Sequence, residues 1–128
     1  MKPILIEIGP GELCDRLSIL ALKVKHSRPG QQADLFDTAL NRLRSLRDEL
    51  AFCPSTIDLE TELADVNRQL WDIEDALHDA EERRLFGPDY IDLARKVQKL
   101  NNRRCSLKAA IDVALEAPRS VEEKIYGQ

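Results

Sequence analysis

The feature that most constrains this chain is an apolar pattern in residues 59–114, which repeats at alternating spacings of four and three. Its first half contains Leu59, Leu63, Val66, Leu70, Ile73, Leu77 and Ala80. After a break at residues 86–88, its second half contains Tyr90, Leu93, Val97, Leu100, Leu107, Ile111 and Ala114, interrupted by Arg104. This spacing places apolar side chains on one stripe of a helix, as in coiled coils and bundles. It predicts two long helices over about residues 57–85 and 89–117, which the short connection makes antiparallel neighbours in a helical hairpin.

Two shorter amphipathic segments precede this hairpin. We expect helix one over about residues 11–27 and helix two over about residues 32–52. Their buried stripes are predicted to be Leu13, Leu17, Leu20, Val24, Phe36, Ala39, Leu43, Leu46 and Leu50. Ser55 or Thr56 is expected to cap the third helix, and Gly87 to end it. The prediction is an all-α, four-helix antiparallel bundle dominated by the long hairpin, in a single domain.

A short N-terminal segment of different character comes first. Residues 4–8 are β-prone and end at a Gly-Pro-Gly turn. A lone strand leaves its backbone groups without partners. We expect this segment to pair either with the C-terminal tail, residues 121–126, or with the same segment of a second subunit. The remaining alternative is that it is simply extended.

Composition narrows the function classes. The net charge of −4 gives no general attraction to nucleic acid or to an anionic membrane. The three cysteines are widely spaced and form no CxxC pair, which favours reduced thiols in a cytoplasmic protein over a disulfide framework or a zinc site. No apolar run approaches the roughly 20 residues of a membrane span. We therefore expect a soluble cytoplasmic protein that has no cofactor and binds neither a membrane nor nucleic acid.

Charge is segregated between the two long helices. Residues 58–82 contain ten acids and one base, Arg68, whereas residues 93–111 contain six bases and no acid. We expect the two helices to neutralise each other. The alternative is an exposed basic stripe that binds phosphates, which the neighbouring acid opposes.

Arg104 interrupts the apolar stripe of the two long helices, which we call the seam, at a position where an apolar residue is expected. A buried guanidinium must find a partner or reach water. Glu74 on the facing helix is the expected partner, with Asn101 as a further polar neighbour. We interpret this as a structural ion pair that sets the hairpin register, and a contact to a ligand anion is the alternative.

Trp71 lies one residue off the seam, on a stripe with Asn67, Glu74, Asp75 and His78. An apolar ring among polar groups is usually covered by another helix or another chain. We expect helices one and two to cover it. The alternatives are a subunit interface and the floor of a pocket.

Two pairs of residues suggest metal chemistry weakly. Glu12 and Asp15 lie one turn apart where the helix dipole favours acids. The same Glu-x-x-Asp spacing occurs in all-helical nucleotide pyrophosphohydrolases, which also need a Glu-x-x-Glu that this chain lacks. Asp75 and His78 form half of a bundle di-metal motif, without a second half. We therefore predict no metal site.

Four stretches of the chain resemble an uncharacterised family of small bacterial all-helical proteins. They are residues 10–20 with Pro-Gly-Glu-Leu-x-Asp, residues 70–75 with Leu-Trp-Asp-Ile-Glu-Asp, residues 94–97 with 101–104, and residues 121–126 with Val-Glu-Glu-Lys-x-Tyr. The chain has Asp15-Arg16 where this family would have Asp-Lys, and Asn101-Asn102 where it would have Asn-Asp. The second departure removes a carboxylate and argues against an acid–base role for Asn102. The resemblance implies a helical fold and cytoplasmic origin, and supplies no reaction.

These polar residues would converge if the four helices close into a bundle. The candidate ligand site is Glu12, Asp15, Arg16, Trp71, Glu74, Asp75, Asn101, Arg104 and Lys108. The preferred interpretation remains a non-enzymatic helical interaction module that forms a homodimer or binds a protein partner. The alternative is a small-molecule or nucleotide-binding enzyme, metal-dependent or not, that uses this cluster.

Overall fold

Four α-helices account for the secondary structure of residues 1–117, which are the residues described by the structure, a computed structural model. They are α1 (Pro10–His26), α2 (Gln31–Asp48), α3 (Pro54–Glu82) and α4 (Pro88–Ala114). The predicted all-α class is confirmed. Over these residues, no helix combines the length and the apolar character needed to cross a lipid bilayer.

Proline opens three of the helices, α1, α3 and α4. Its missing N–H costs nothing there, because the first amides of a helix have no partner within it. The predicted cap of α3 is wrong, since no side chain caps this helix. Ser55 and Thr56 lie inside the first turn, where their hydroxyls contact Cys53 Sγ at 3.0 and 3.1 Å.

The turn between α3 and α4 differs from the expected one. The helix ends at Glu82, and Arg84 adopts the left-handed conformation with φ of 57°. The amide of Leu85 then donates to the carbonyl of Ala80 at 2.9 Å, as in a helix C-terminal motif. Gly87 does not end α3, because it has a φ of −79° and serves as the N-cap of α4.

The core lies between α1, α3 and α4. Its buried members are Cys14, Leu63, Val66, Leu70, Leu107 and Ile111. α2 packs on α1, and within residues 1–117 its Cα atoms come no closer than 8 Å to those of α3 or α4. The predicted stripe of α2 is partly wrong, because Leu46 is 48% exposed while Leu40, outside that stripe, is 3% exposed. The result is a layered order, with α2 outside, α1 in the middle, and α3 with α4 on the far side.

The long helices continue past the end of α1. We call residues 71–106 the arm, and none of its side chains is buried. Seam residues such as Ile73, Leu77 and Val97 are half-buried, and three apolar side chains near the turn are exposed, Leu85, Phe86 and Ile91. The arm therefore carries more apolar surface than its two helices cover.

Residues 1–9 form neither helix nor strand, and the side chains of Ile4, Leu5 and Ile6 are exposed. Within residues 1–117 this segment pairs with no strand. The tail at residues 121–126, named above as a possible partner, lies outside the described residues.

Candidate functional site between α1, α3 and α4

A buried ion pair lies at the centre of the predicted cluster. Arg104 Nε donates to Asp15 Oδ1 at 2.8 Å, and Arg104 Nη2 donates to Asp15 Oδ2 at 2.5 Å. Asp15 is only 1% exposed. This bidentate geometry is the strongest that the two groups can form, and it raises the pKa of Arg104. The expected partner of Arg104 is wrong, because Glu74 is exposed on the arm.

Two polar side chains complete the environment of Asp15. Asn67 Nδ2 donates to Asp15 Oδ1 at 2.9 Å and lies 2.6 Å from Ser18 Oγ. Ser18 Oγ in turn donates to the carbonyl of Asp15 at 2.9 Å. The network therefore ties α1 to both α3 and α4 through hydrogen bonds that need no solvent. Sequence reasoning placed Asn67 on the Trp71 stripe and did not assign it to the site.

Glu12, one turn before Asp15 on α1, forms a second contact between α1 and α4. Its carboxylate contacts Lys108 Nζ at 2.5 Å and Arg16 Nε at 2.9 Å. Burial works to raise the pKa of Glu12, but the hydrogen bonds from Lys108 and Arg16 outweigh it and lower the pKa. Glu12 and Asp15, the carboxylates weighed above for metal chemistry, thus already bind three cationic side chains. Over residues 1–117, no three His, Cys, Asp or Glu side chains are grouped to hold a metal ion.

The start of α1 rests directly on α4. The amide of Gly11 donates to Asp112 Oδ1 at 2.8 Å, and this carboxylate lies where the helix dipole favours negative charge. A Cβ on Gly11 would lie 2.2 Å from the carbonyl oxygen of Lys108, so only glycine permits this approach. Asp112 was missed from the sequence. The one signal was that Gly9, before Pro10, offers α1 no capping side chain.

Trp71 lies at the edge of this network. Its ring stacks on His26, the last residue of α1, with 5.0 Å between ring centroids and 16° between planes. Its side chain is half-buried, covered on one face by α1 and not reached by the backbone of α2. His78 contacts Glu82 at 3.5 Å, on the exposed arm.

The predicted cluster is therefore divided. The structure brings five of its members together: Glu12, Asp15, Arg16, Arg104 and Lys108. Glu74 and Asp75 are exposed on the arm, and Asn101 is half-buried one turn before Arg104. The joined members satisfy each other, which is the behaviour of a structural network.

A separate cleft of about 350 Å³, which was not predicted from the sequence, lies between α1, α2 and α3. At its end Arg47 donates twice to Glu60, at 2.8 Å each, and its guanidinium lies 3.9 Å from the centre of the Phe52 ring. The thiol of Cys14 lies 3.5 Å from Glu60 Oε2. Burial, followed by the charge of Glu60, raises the pKa of Cys14 to about 12. This thiol is therefore inert at neutral pH.

The charges of the two long helices do not neutralise each other as expected. The acids of α3 pair mostly along α3 itself, where Arg68 contacts Asp65 at 2.7 Å and Asp72 at 3.6 Å. Within residues 1–117, the contact of Arg103 with Glu62 is the only ion pair that joins the helices. Lys96 and Lys99 form none there.

Those two lysines border a groove of about 460 Å³ between α3 and α4, which we call the outer groove. It is lined by Gln69, Asp72, Ile73, Lys96, Lys99 and Leu100. Ile73 and Leu100 supply apolar surface, while Asp72 lies on one wall and the lysines on the other. A groove with walls of opposite charge is suited to a partner of the same character.

No family model, no curated protein and no solved structure matches this chain. The resemblance to small bacterial helical proteins therefore stays a prediction. The features of the molecule that bear on function are the arm, the network around Asp15 and the outer groove.

Proposed function

We propose that this protein is a non-enzymatic helical interaction module that self-associates through its arm. The observation that carries the proposal is the absence of any buried side chain from Trp71 to Ser106, although an apolar seam runs through this range. Two isolated helices cannot shield both sides of such a seam. Surplus apolar surface of this kind is typical of an interface, and closed symmetric dimers are the commonest assemblies.

The proposal includes an arrangement of the helices. We infer a four-helix antiparallel bundle in which α3 and α4 form a hairpin. Support comes from two contacts: Tyr90 Oη donates to Glu81 Oε2 at 3.3 Å near the turn, and Arg103 contacts Glu62 farther from it. Moving away from the turn, the residue numbers of the contact partners fall along α3 and rise along α4. This is the pattern of antiparallel neighbours.

A ligand-binding enzyme that uses the polar cluster has weaker support. The Nε/Nη2 edge of Arg104 is filled by Asp15, and Lys108 is held by Glu12. An anion at this cluster would have to displace a buried carboxylate, which is costly.

Sedimentation velocity tests the self-association. The wild-type chain of 14.6 kDa is expected to sediment as a dimer at micromolar concentration. Ile73→Glu places a charge in the outer groove and should yield a monomer. Leu46→Glu is the control, because it places the same charge on an exposed aliphatic residue of α2, outside the arm. This variant should remain dimeric.

Circular dichroism of each variant would establish that the helices persist. A wild-type chain that is monomeric at high micromolar concentration would overturn the proposal. So would a dimer that survives Ile73→Glu and dissociates in Leu46→Glu.

A further inference from the structure

The geometry points to a specific pairing of the two arms, an inference that rests on the self-association proposed above. We propose that the outer groove binds the outer groove of a second copy, with α3 of each subunit lying over α4 of its partner. The acidic wall of one copy then meets the basic wall of the other.

The outer groove lies on the face turned away from α1. Asn67 points to α1 through its bond to Asp15, and Gln69 lies about 200° further around α3, at roughly 100° per residue. Lys108 points to α1 through Glu12, and Lys99 lies about 180° from it around α4. Within residues 1–117, α2 packs on α1 and reaches α3 through Arg47 and Glu60, near the start of α3, so no described helix covers this face.

The basic wall of the outer groove carries charge that forms no ion pair within the described residues. Lys96 and Lys99 form no ion pair within the described residues, although Asp72 lines the same groove. Asp72 pairs with Arg68 at 3.6 Å, and Asp65, which pairs with Arg68 at 2.7 Å, lies two turns earlier on α3. The unused lysines therefore favour a partner that brings acids, and the same molecule presents such acids alongside them.

Charge selects one of two symmetric arrangements. A two-fold axis perpendicular to the helices would lay α3 over α3, acid against acid. A two-fold axis parallel to the helices lays α3 over α4 of the partner, at equal height. Because Asp72 already shares the groove with Lys96 and Lys99, it would come level with those lysines in the partner. Every such contact occurs twice in a two-fold interface.

A charge-exchange experiment tests this pairing. The acidic variant carries Lys96→Glu and Lys99→Glu, and the basic variant carries Asp65→Lys and Asp72→Lys. Each variant alone brings like charges together, which should raise the dimer dissociation constant at least about 100-fold. An equimolar mixture restores opposite charges at both contacts. Its dissociation constant should return to within about tenfold of wild type.

A matched control reverses two positive charges elsewhere on the surface. Arg42→Glu with Arg44→Glu changes two exposed residues on α2, outside the arm, and this variant should dimerise as wild type does. Circular dichroism again verifies folding, and sedimentation at raised salt should weaken the wild-type dimer.

The outcomes separate the two proposals. Dimers formed by the acidic and basic variants alone, with a monomeric Ile73→Glu, would overturn the pairing and leave self-association intact. A mixture that stays monomeric would also overturn the pairing. A monomeric wild type would remove both.

Discussion

Asp15 is the least exposed charged residue of the described chain, and its surroundings show how the molecule tolerates a charge in its interior. Arg104 supplies the opposite charge, while Asn67 and Ser18 supply further polar contacts. A buried pair of this kind adds little net stability over an apolar core, but losing one partner is costly.

Arg104→Met should therefore destabilise the protein, because it leaves the Asp15 carboxylate buried without a cation. The expected loss in the free energy of unfolding is about 3 kcal/mol, measured by urea denaturation. Arg68→Met is the control, since that arginine pairs with Asp65 at the surface, and it should cost no more than about 0.5 kcal/mol.

Combining Arg104→Met with Asp15→Asn should recover part of this loss, because the unpaired charge is then gone. Equal costs for the two arginine variants would contradict a buried pair. A double variant as unstable as the sum of its parts would contradict direct coupling.

The cysteines should differ sharply in reactivity. Hydrogen bonds from Ser55 and then Thr56 lower the pKa of the exposed Cys53 thiol to about 7, whereas burial raises that of Cys14 to about 12. The thiolate is the reactive form, so alkylation of Cys53 should rise as pH passes through about 7 and level off above it.

Mass spectrometry after iodoacetamide treatment of the folded protein measures this pH dependence. Ser55→Ala should shift the midpoint for Cys53 upward, towards the ordinary thiol value. Cys14 should stay unmodified until the protein unfolds, and early labelling of Cys14 would show that the core between α1 and α3 opens readily.

At the scale of the helices, sequence periodicity predicted much and failed for definable reasons. The spacing of apolar residues predicted four helices, because only a buried stripe requires such a spacing. It also predicted the buried seam residues Leu63, Leu70 and Leu107. The partner of Arg104 did not follow, because Asp15 lies 89 residues away on a helix that the hairpin pattern does not position. Asp112 was missed for the same reason: a cap supplied from another helix leaves no local signature.

The contact of α1 with α4 depends on one glycine. Gly11→Ala should be strongly destabilising, because its Cβ would meet the backbone carbonyl of Lys108, which cannot rotate aside. Overpacking of this kind costs about 3 kcal/mol, and thermal unfolding would measure the loss.

Gly87→Ala is the matched control for that variant. Nothing lies within 4 Å of a Cβ at Gly87, and its φ of −79° suits alanine. The expected cost is below about 1 kcal/mol, from its position as an N-cap. If the two glycine variants unfolded at the same temperature, the close approach of α1 and α4 would not be structurally important.

At the scale of the whole molecule, the fold divides into two parts. In the base, formed by α1 and the parts of α3 and α4 that pack on it, the apolar side chains are buried and the charges are paired. In the arm, the apolar seam stays partly exposed. The base contains the core and the buried Asp15 carboxylate, with which Arg104 pairs from the edge of the arm, whereas residues 71–106 contain no buried side chain. The sequence predicted one continuous seam over both parts, since spacing alone does not reveal where α1 stops. Only the position of His26 against Trp71 fixes that limit.

This division predicts a difference in amide hydrogen exchange that depends on protein concentration. Amides of a helix with few buried contacts open locally, so in the monomer the arm should exchange faster than the base. A second copy on the outer groove would close those openings. Between concentrations well below and well above the dimer dissociation constant, exchange in residues 73–100 should slow at least about tenfold, as binding stabilises the covered state by mass action. Residues 63–70 and 107–111 should exchange alike at both concentrations, because their protection comes from the core within one chain. The Ile73→Glu variant should lose the concentration dependence in the arm and keep the protection of the base. An arm whose exchange is equally slow at every concentration would mean that two helices suffice to shield their own seam, and the reason for a dimer would disappear.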